Sequence, residues 1–582
     1  MNSEYIKENS DVLIIGCGGA GLRAGIEVKE NGLSPKILGK RPKSDSHTVL
    51  AAGGINASLG NVDSEDSWQQ HFADTYLEGY EINDPEAIEI LVKNAADEIY
   101  KIDSWGANFK KLSNGKFDQR YFGAHTYRRT CYSGDYTGRS ILFALLDKAE
   151  LIGIPIFDTE YVTDLLIKDN QCFGAVSFNT CTGRKTVHLA DAVIICTGGH
   201  TRIWENSSSR VRENMGDGLH LALKAGCELI DMEMVQFHPT GMVTPKDVAG
   251  TLVTEAVRGE GGRLLNANGE RFMINYDKER MELSSRDRVA IANYTEIIEG
   301  RGTKNGGVYL DISHKDKEFI ISKLPVIYQQ FIDFQMLDIS KEPMEVAPTA
   351  HYSMGGILVD ANTHETSIKG LYAAGEVAGG VHGANRLGGN SLAEILVFGK
   401  ITGKNASIFS KNFRAEINLM DSSASVLERI NKINSQKGSL KSISIINQLR
   451  EIMWKYCGVI KDEKNLKDGL KQINFLKELS NKVEIQVKNN NQNDLINYLD
   501  LCSSLITAEA TIISALARCE SRGSHQRKDF INKDKNKFNY IVNLKNGKLN
   551  VYQKKSKNPK KELINFLEKT KIIKNFEGKL IE

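Results

Sequence analysis

Asp11-Val12-Leu13-Ile14-Ile15-Gly16-Cys17-Gly18-Gly19-Ala20-Gly21 is the stretch that decides the fold. Val12 to Ile15 form a short apolar run that ends in glycine, the pattern of a buried parallel strand. Gly16, Gly18 and Gly21 then give G-x-G-x-x-G, and Leu22 to Lys29 reads as the helix that follows. Strand, glycine turn and helix in that order make a dinucleotide-binding unit. The glycines permit the tight turn and bring backbone N–H groups, from Gly18, Gly19 and Ala20, close to a pyrophosphate at the helix N-terminus. Lys36-Ile37-Leu38 is expected to be the second strand. An NAD site places Asp or Glu roughly 20 residues past the glycines, on the ribose. This chain has Gly39-Lys40-Arg41 there, which counts against NAD as the primary ligand.

Two later segments extend the pattern. Ala192-Val193-Ile194-Ile195-Cys196-Thr197-Gly198-Gly199 and Gly370-Leu371-Tyr372-Ala373-Ala374-Gly375-Glu376 are apolar strands ending in small residues. Taken singly, each is also an ordinary buried strand. In this order the three suit a flavin, with backbone and the Glu376 carboxylate near a ribose or ribityl chain. His47, in Ser46-His47-Thr48-Val49 just ahead of Gly53-Gly54, follows the glycine turn. Taken by itself it is equally a surface histidine in a loop. With flavin phosphates on the glycines it comes within reach of the flavin and reads as the attachment point for covalent FAD.

The 582 residues suffice for two to four domains and a large core. A formal net charge of +2 provides no field for nucleic acid, so no nucleic-acid partner is expected. The nine cysteines form no Cys-x-x-Cys pair, which argues against a disulfide framework, a zinc site or an iron–sulfur cluster in this chain. No metal site is expected. The N-terminus is polar, and no stretch reads as the roughly 18 apolar residues of a membrane span. The chain therefore reads as cytoplasmic and soluble, able to be held at a membrane by a partner.

The fold expected is α/β. A Rossmann-like FAD-binding domain occupies residues 1–240 and 349–410, with an inserted α/β capping domain at 241–348. A helical domain at 411–530 follows, on amphipathic patterns such as Leu449-Ile452-Met453-Tyr456. The Lys- and Asn-rich residues 531–582 form a small C-terminal region, read as mostly solvated surface. Residues 488–493 read as a polar loop between helices.

At this point the chain resembles the flavoprotein subunit of succinate dehydrogenase and fumarate reductase, over nearly all of residues 10–405 and more weakly to about 530. The motifs, besides the glycine turn and Ser46-His47-Thr48, are Thr137-Gly138-Arg139, Gln236-Phe237-His238-Pro239-Thr240-Gly241, Thr254-Glu255-Ala256-Val257-Arg258-Gly259-Glu260, Ser285-Arg286-Asp287, His351-Tyr352-Ser353-Met354-Gly355-Gly356 and His382-Gly383-Ala384-Asn385-Arg386-Leu387-Gly388-Gly389-Asn390-Ser391-Leu392. The resemblance implies that FAD is held by the glycine turn (Gly16 to Gly21), Lys40, His47, Thr48, Gly53, Gly54, Thr197, Gly198, Asp217, Glu376, Asn390, Ser391 and Leu392. It implies a dicarboxylate held by Phe122, His238, Thr254, His351 and Arg386, with Arg286 as proton donor or acceptor relayed through Glu255 and Arg258. It also implies two partners, a quinone-reactive membrane anchor and an iron–sulfur subunit, which would place the chain on the cytoplasmic face of the membrane.

L-Aspartate oxidase shares most of this pattern. It lacks the histidine at the place of His47 and carries a glutamate for the substrate ammonium in the segment matching Arg120-Tyr121-Phe122-Gly123. A non-catalytic, flavin-bearing assembly subunit is a third reading, opposed by the intact set Thr254, Glu255, Arg258, Arg286, His351 and Arg386. Two positions depart from the dehydrogenase pattern: Ala52 stands where the family often has Gln, and Gly39 where it often has Ser.

Overall fold

The computed structural model describes residues 5–413, 420–487 and 491–580. Its central sheet has seven strands. Ile156–Phe157, Pro35–Leu38, Tyr5–Ile15, Lys185–Ile195, Gln171–Asn179 and Glu160–Lys168 lie in that order, and Leu371–Ala373 pairs with the C-terminal part of Lys185–Ile195. The strands around the glycine turn are parallel, while Glu160–Lys168 and Gln171–Asn179 join antiparallel. Val12, Leu13 and Ile14 are fully buried, as a strand covered on both faces requires. The first helix runs Gly19–Glu30, one turn earlier than Leu22, so the glycine turn itself begins the helix.

Against that helix lies the helix Asn390–Asn412. A Cβ on Gly399 would meet the Ala20 carbonyl oxygen at 2.8 Å, and one on Gly403 the Ala24 carbonyl oxygen at 2.5 Å. Glycines four apart share one helix face and let the two backbones touch. Buried Arg23 ties the first helix to a third, Pro85–Ile102, its Nε donating to Glu98 at 2.7 Å.

Val235–Met242, Met344–Ser353, Val308–Asp311 and Arg263–Leu265 form a second, antiparallel sheet with its own core around Val253, Leu264, Phe272 and Phe331. Residues 420–434, 442–456, 463–480 and 493–517 are helical, as their apolar spacing predicts. Of the polar loop expected at 488–493, residues 488–490 lie outside the described residues. Asn493–Ala517 corrects one expectation. With a mean hydropathy of 1.4 over an 18-residue window, it is long and apolar enough to cross a membrane. It is apolar because it is a core helix, with 67% of that window buried inside the fold.

Lys554, Lys555, Lys557, Lys560 and Lys561 are exposed, as a solvated surface requires, but the C-terminal region is not all surface. Phe538–Lys545 and Lys548–Lys555 form a hairpin that completes a third sheet with Leu229–Ile230 and Gly356–Ile357. Ile541 and Val542 are fully buried, and Lys557 and Lys560 pair with Asp84 and Glu89. The lysine-rich composition hides a strand whose buried apolar run, Tyr540 to Val542, is only three residues long.

Gly39 has a local explanation. A Cβ there would lie 2.4 Å from the sulfur of Cys17, which is buried in the glycine turn. The thiol occupies the space a serine side chain would need. Gly39→Ser is expected to cost about 1–3 kcal/mol by overpacking. Cys17→Ala in the same chain should recover most of it, read as the shift in thermal unfolding of the three proteins.

Candidate active site

The loop Ser46–Gly54 joins two concave regions. On one side it touches the glycine turn, where the backbone N–H of Gly19 donates to Thr48 Oγ1 at 3.1 Å. On the other it forms one wall of a cavity of about 900 Å³. The helix Thr137–Leu151 pins the loop from behind. Gly138 N–H donates to the Ala51 carbonyl at 2.7 Å, and a Cβ on Gly138 would sit 2.2 Å from the Thr48 carbonyl oxygen. This is what the Thr-Gly-Arg motif supplies physically.

Beside the glycine turn, three buried polar atoms have no hydrogen-bond partner among the described residues: Ser46 Oγ, Thr197 Oγ1 and Asp217 Oδ1. Buried polar groups are rarely left unpaired. With the helix N-terminus that begins at Gly19 they fit the phosphate and sugar oxygens of a dinucleotide. Lys40 sits in a charged cluster here, 3.2 Å from Asp217 and 3.3 Å from Asp500, with Tyr161 donating to Asp500 at 2.9 Å. Neither Lys40 nor Asp217 lines the large cavity. Gly198 takes φ +77° and packs on Asn214, whose side chain accepts from Gly199 N–H at 3.2 Å and donates to Ser209 at 2.9 Å.

Of the residues expected to hold FAD, His47, Thr48, Gly53, Gly54, Glu376, Ser391 and Leu392 line the cavity. Asn390 does not. Its fully buried side chain is engaged by Asn56 at 2.8 Å, His71 at 2.9 Å and Thr75 at 3.0 Å, so it braces the start of its helix instead. His47 Nδ1 meets Glu213 Oε2 at 3.1 Å, which leaves Nε2 as the other ring nitrogen. Burial works against the imidazolium, but the Glu213 carboxylate outweighs it and raises the His47 pKa. Glu213 is itself held by Arg210 through the backbone N–H at 2.8 Å and the guanidinium at 2.6 Å. Glu213 and Arg210 were not singled out from the sequence, since nothing in the local pattern of residues 207–214 marks a contact with position 47, while Ser46 falls inside the Ser46-His47-Thr48 motif without a role of its own.

The other end of the cavity is lined by Phe122, His238, Thr254, Glu255, Arg286, His351 and Arg386. Phe122 fills a slot left by two absent side chains. A Cβ on Gly53 would meet its ring at 2.8 Å and one on Gly388 at 3.2 Å. Arg386 is buried, stacks at 4.3 Å on Tyr352 and donates to the neutral amide of Gln236 at 2.9 Å. Among the described residues no carboxylate lies within ion-pair distance of it, and its Nε has no partner. Burial and the nearby Arg286 charge bring its pKa down to about 10. It is a guanidinium that lacks an anion.

His238 and His351 stand with ring centroids 5.5 Å apart. Burial first, then Arg286 for His238 and the His238 ring for His351, keep both pKa values well below the ordinary histidine value. The Thr240 backbone N–H donates to His238 Nδ1 at 3.3 Å, which assigns the ring proton to Nε2 as a donor. His351 Nδ1 pairs with Ser208 at 3.0 Å. Arg286 donates from Nε to Glu255 at 2.8 Å, and Arg258 lies 3.9 Å beyond on the same carboxylate. Arg258 is buried behind the cavity and donates to the Glu282 carbonyl at 2.6 Å. The geometry thus gathers four cationic or donor groups for an anion, plus a chain Arg286–Glu255–Arg258 leading away from it. Tyr352 and Gln236 were not singled out from the sequence, although both fall inside motifs that were.

Residues 11–392 match the FAD binding domain family, and residues 446–566 match the fumarate reductase flavoprotein C-term family. The chain is similar to one subunit of the fumarate reductase (CoM/CoB) of Methanothermobacter marburgensis, 45% identical over 91% of this chain and 96% of that one. It is 37% identical to the succinate dehydrogenase flavoprotein subunit of Rickettsia conorii, over 90% and 91% of the two chains. Among solved structures it superposes on E. coli quinol fumarate reductase FrdA with a TM-score of 0.90 at 32% identity, covering 96% of this chain and 99% of that one.

Glu255 sets a pH dependence. Burial alone would raise its pKa, but Arg286 and Arg258 pull it from 4.5 down to about 2. A lowered carboxylate pKa contributes stability that is present above the ordinary value and lost as pH falls towards the folded one. Unfolding free energy should therefore drop by roughly 3 kcal/mol more in the wild type than in Glu255→Gln on acidification across that range. Parallel acid titrations of the two proteins check it.

Proposed function

The chain belongs to the flavoprotein-subunit family of succinate dehydrogenase and fumarate reductase, FAD-dependent oxidoreductases, and from that premise we propose that it interconverts succinate and fumarate. The observation that carries this is Arg386, a buried guanidinium without a carboxylate of its own, in one cavity with two neutral histidines and a second arginine. A dicarboxylate supplies the missing anion. Arg386 grips one carboxylate, while His238 and His351 donate to oxygens of the substrate. Holding a carboxylate against fixed cations in a dry site stabilises the charge that develops when a hydride is added at the adjacent carbon.

FAD, when bound, supplies the hydride acceptor or donor. The residues present fit it: the partnerless Ser46, Thr197 and Asp217 oxygens lie beside the glycine turn, and the wall from His47 to Gly54 leads into the substrate end. Arg286 moves the proton at the second carbon, and Glu255 and Arg258 relay it. An arginine of pKa above about 12 can do this only beside a carboxylate that stays charged, and Glu255 is such a group. Residues 241–348 act as a cap, supported by Leu252, Ile327, Gln330 and Phe334 on the cavity wall. His47 is proposed to bind the flavin covalently through Nε2, an assignment favoured by the Glu213 contact at Nδ1.

Electrons are proposed to pass to a separate iron–sulfur subunit, then to quinone at a membrane anchor, which would hold the chain peripherally on the cytoplasmic face. A second reading of the electron partner is favoured by one observation. Identity to the relative named for CoM/CoB is 45%, against 37% for the succinate dehydrogenase flavoprotein. On that reading the direction is fumarate reduction and quinone is not the donor.

Succinate should bleach the flavin absorbance of the purified protein under anaerobic conditions and aspartate should not. Bleaching by aspartate would move the chain to the oxidase chemistry. Arg286→Ala should lower turnover by about 10²–10⁴-fold, the usual range for a lost proton-transfer group. Acid-denatured protein should keep flavin fluorescence on a gel, and His47→Ser should lose it.

A further inference from the structure

The two arginines of the site belong to distant segments, Arg286 to the helix Arg286–Glu296 and Arg386 to the segment ahead of Asn390–Asn412. A single turn touches the neighbour of each. It follows the helix Trp68–Glu78 and contains two successive non-glycine residues in the left-handed region, Tyr80 at φ +53° and Glu81 at φ +63°. Two such residues in a row persist only where the surroundings enforce them. Here Arg522 donates to the Tyr80 carbonyl at 2.9 Å, Ala384 N–H to the Gly79 carbonyl at 2.9 Å and Asn539 to the Ile82 carbonyl at 2.9 Å. Lys537 and Lys571 both pair with Glu81.

From this anchored turn two side chains reach out. The Tyr80 hydroxyl donates to Asp287 Oδ2 at 2.8 Å. Asp287 is buried, follows Arg286 directly, and among the described residues its other oxygen has no hydrogen-bond partner. The Asp287 charge, aided by burial, keeps the phenol protonated far above its ordinary range, so Tyr80 is the donor. Glu78 Oε1 accepts from Asn385 Nδ2 at 2.8 Å, and Asn385 Oδ1 accepts from Gln236 at 2.7 Å. Gln236 in turn accepts from Arg386 Nη2 at 2.9 Å.

We propose that the turn from Glu78 to Ile82 is a positioning bracket that fixes Arg286 relative to Arg386, holding Asp287 through Tyr80 and Asn385 through Glu78. The role in turnover rests on the proposed succinate–fumarate chemistry, whereas the bracket itself does not. Glu255 holds the Arg286 side chain, and Tyr352 and Gln236 hold that of Arg386, so what is left to set their spacing is the placement of the two backbones that carry them. Proton transfer and hydride transfer to adjacent carbons demand that spacing to within a fraction of an ångström. Tyr80 and Glu78 are positioning residues and touch no substrate.

The test is Tyr80→Phe, which removes one hydroxyl, with Asp287→Asn, the double variant and Glu81→Ala on the anchoring side of the turn. Amide hydrogen exchange of residues 286–290 in the whole protein should quicken roughly tenfold in Tyr80→Phe, the factor one hydrogen bond to a charged group sustains. Succinate turnover should fall with KM unchanged, and the double variant should be no slower than the slower single one. Glu81→Ala, which loosens the anchored side of the same turn, should lower thermal stability and shift turnover in the same direction as Tyr80→Phe, with KM unchanged. Wild-type exchange in Tyr80→Phe, or rate losses that multiply in the double variant, would overturn the bracket. Raised exchange in Tyr80→Phe together with a wild type that does not oxidise succinate would leave the bracket standing and overturn the proposed chemistry.

Discussion

A guanidinium buried without its own counter-ion is expensive, and Arg386 is the constraint around which the site is arranged. Its direct supports are neutral: the ring of Tyr352 below and the amide of Gln236 beside it. The neighbouring histidines are driven neutral by burial and by the charges around them, so a hydrogen bond from either ring would add no charge. Glu255 is the anion committed to Arg286 and Arg258, and it does not reach Arg386. The cavity therefore keeps a surplus of positive potential at one end, where burial of these groups weakens screening by water. An anion that enters relieves this.

The rest of the architecture brings that end against the nucleotide crevice. The loop Ser46–Gly54 is shared by both, tied to the glycine turn by Thr48 and to the helix Thr137–Leu151 by Ala51. Missing side chains do much of this work. Gly138 admits the loop, Gly53 and Gly388 admit Phe122, and Gly39 yields its space to Cys17. The departure at position 39 is thus matched by the residue it faces, and the strand-to-helix geometry is kept. Ala52 lines the cavity, and its backbone carbonyl accepts from Arg120 at 3.5 Å and Thr137 at 3.4 Å.

Much of the fold was legible in the chain because its signals are local. The apolar strand Val12–Ile15, the glycine turn and the helix after it show themselves within twenty residues, and the helices of 442–517 show their apolar stripes. The hairpin Phe538–Lys555 was not legible. Its buried apolar run is Tyr540, Ile541 and Val542, diluted among lysines and asparagines, and only docking on Leu229–Ile230 makes it a strand. Asn493–Ala517 shows the same limit in reverse, since an apolar helix of that length has one composition for a protein core and for a bilayer.

The sequence by itself determined which residue types were present for the chemistry: glycines to seat phosphates, and the arginines, histidines and glutamate that line one end of the cavity. Residue identity and short spacing are enough for that, because each motif folds as one local unit. Only the tertiary structure decided which side chains face the cavity and which brace it. Asn390 turns into the core towards Asn56, His71 and Thr75, although it sits in the same motif as Ser391 and Leu392. Glu213 meets His47 across 166 residues, and Tyr80 meets Asp287 across 207. Such contacts carry no local spacing, since they are created when separate sheets and helices pack, and only then do distance and burial assign each charge its partner.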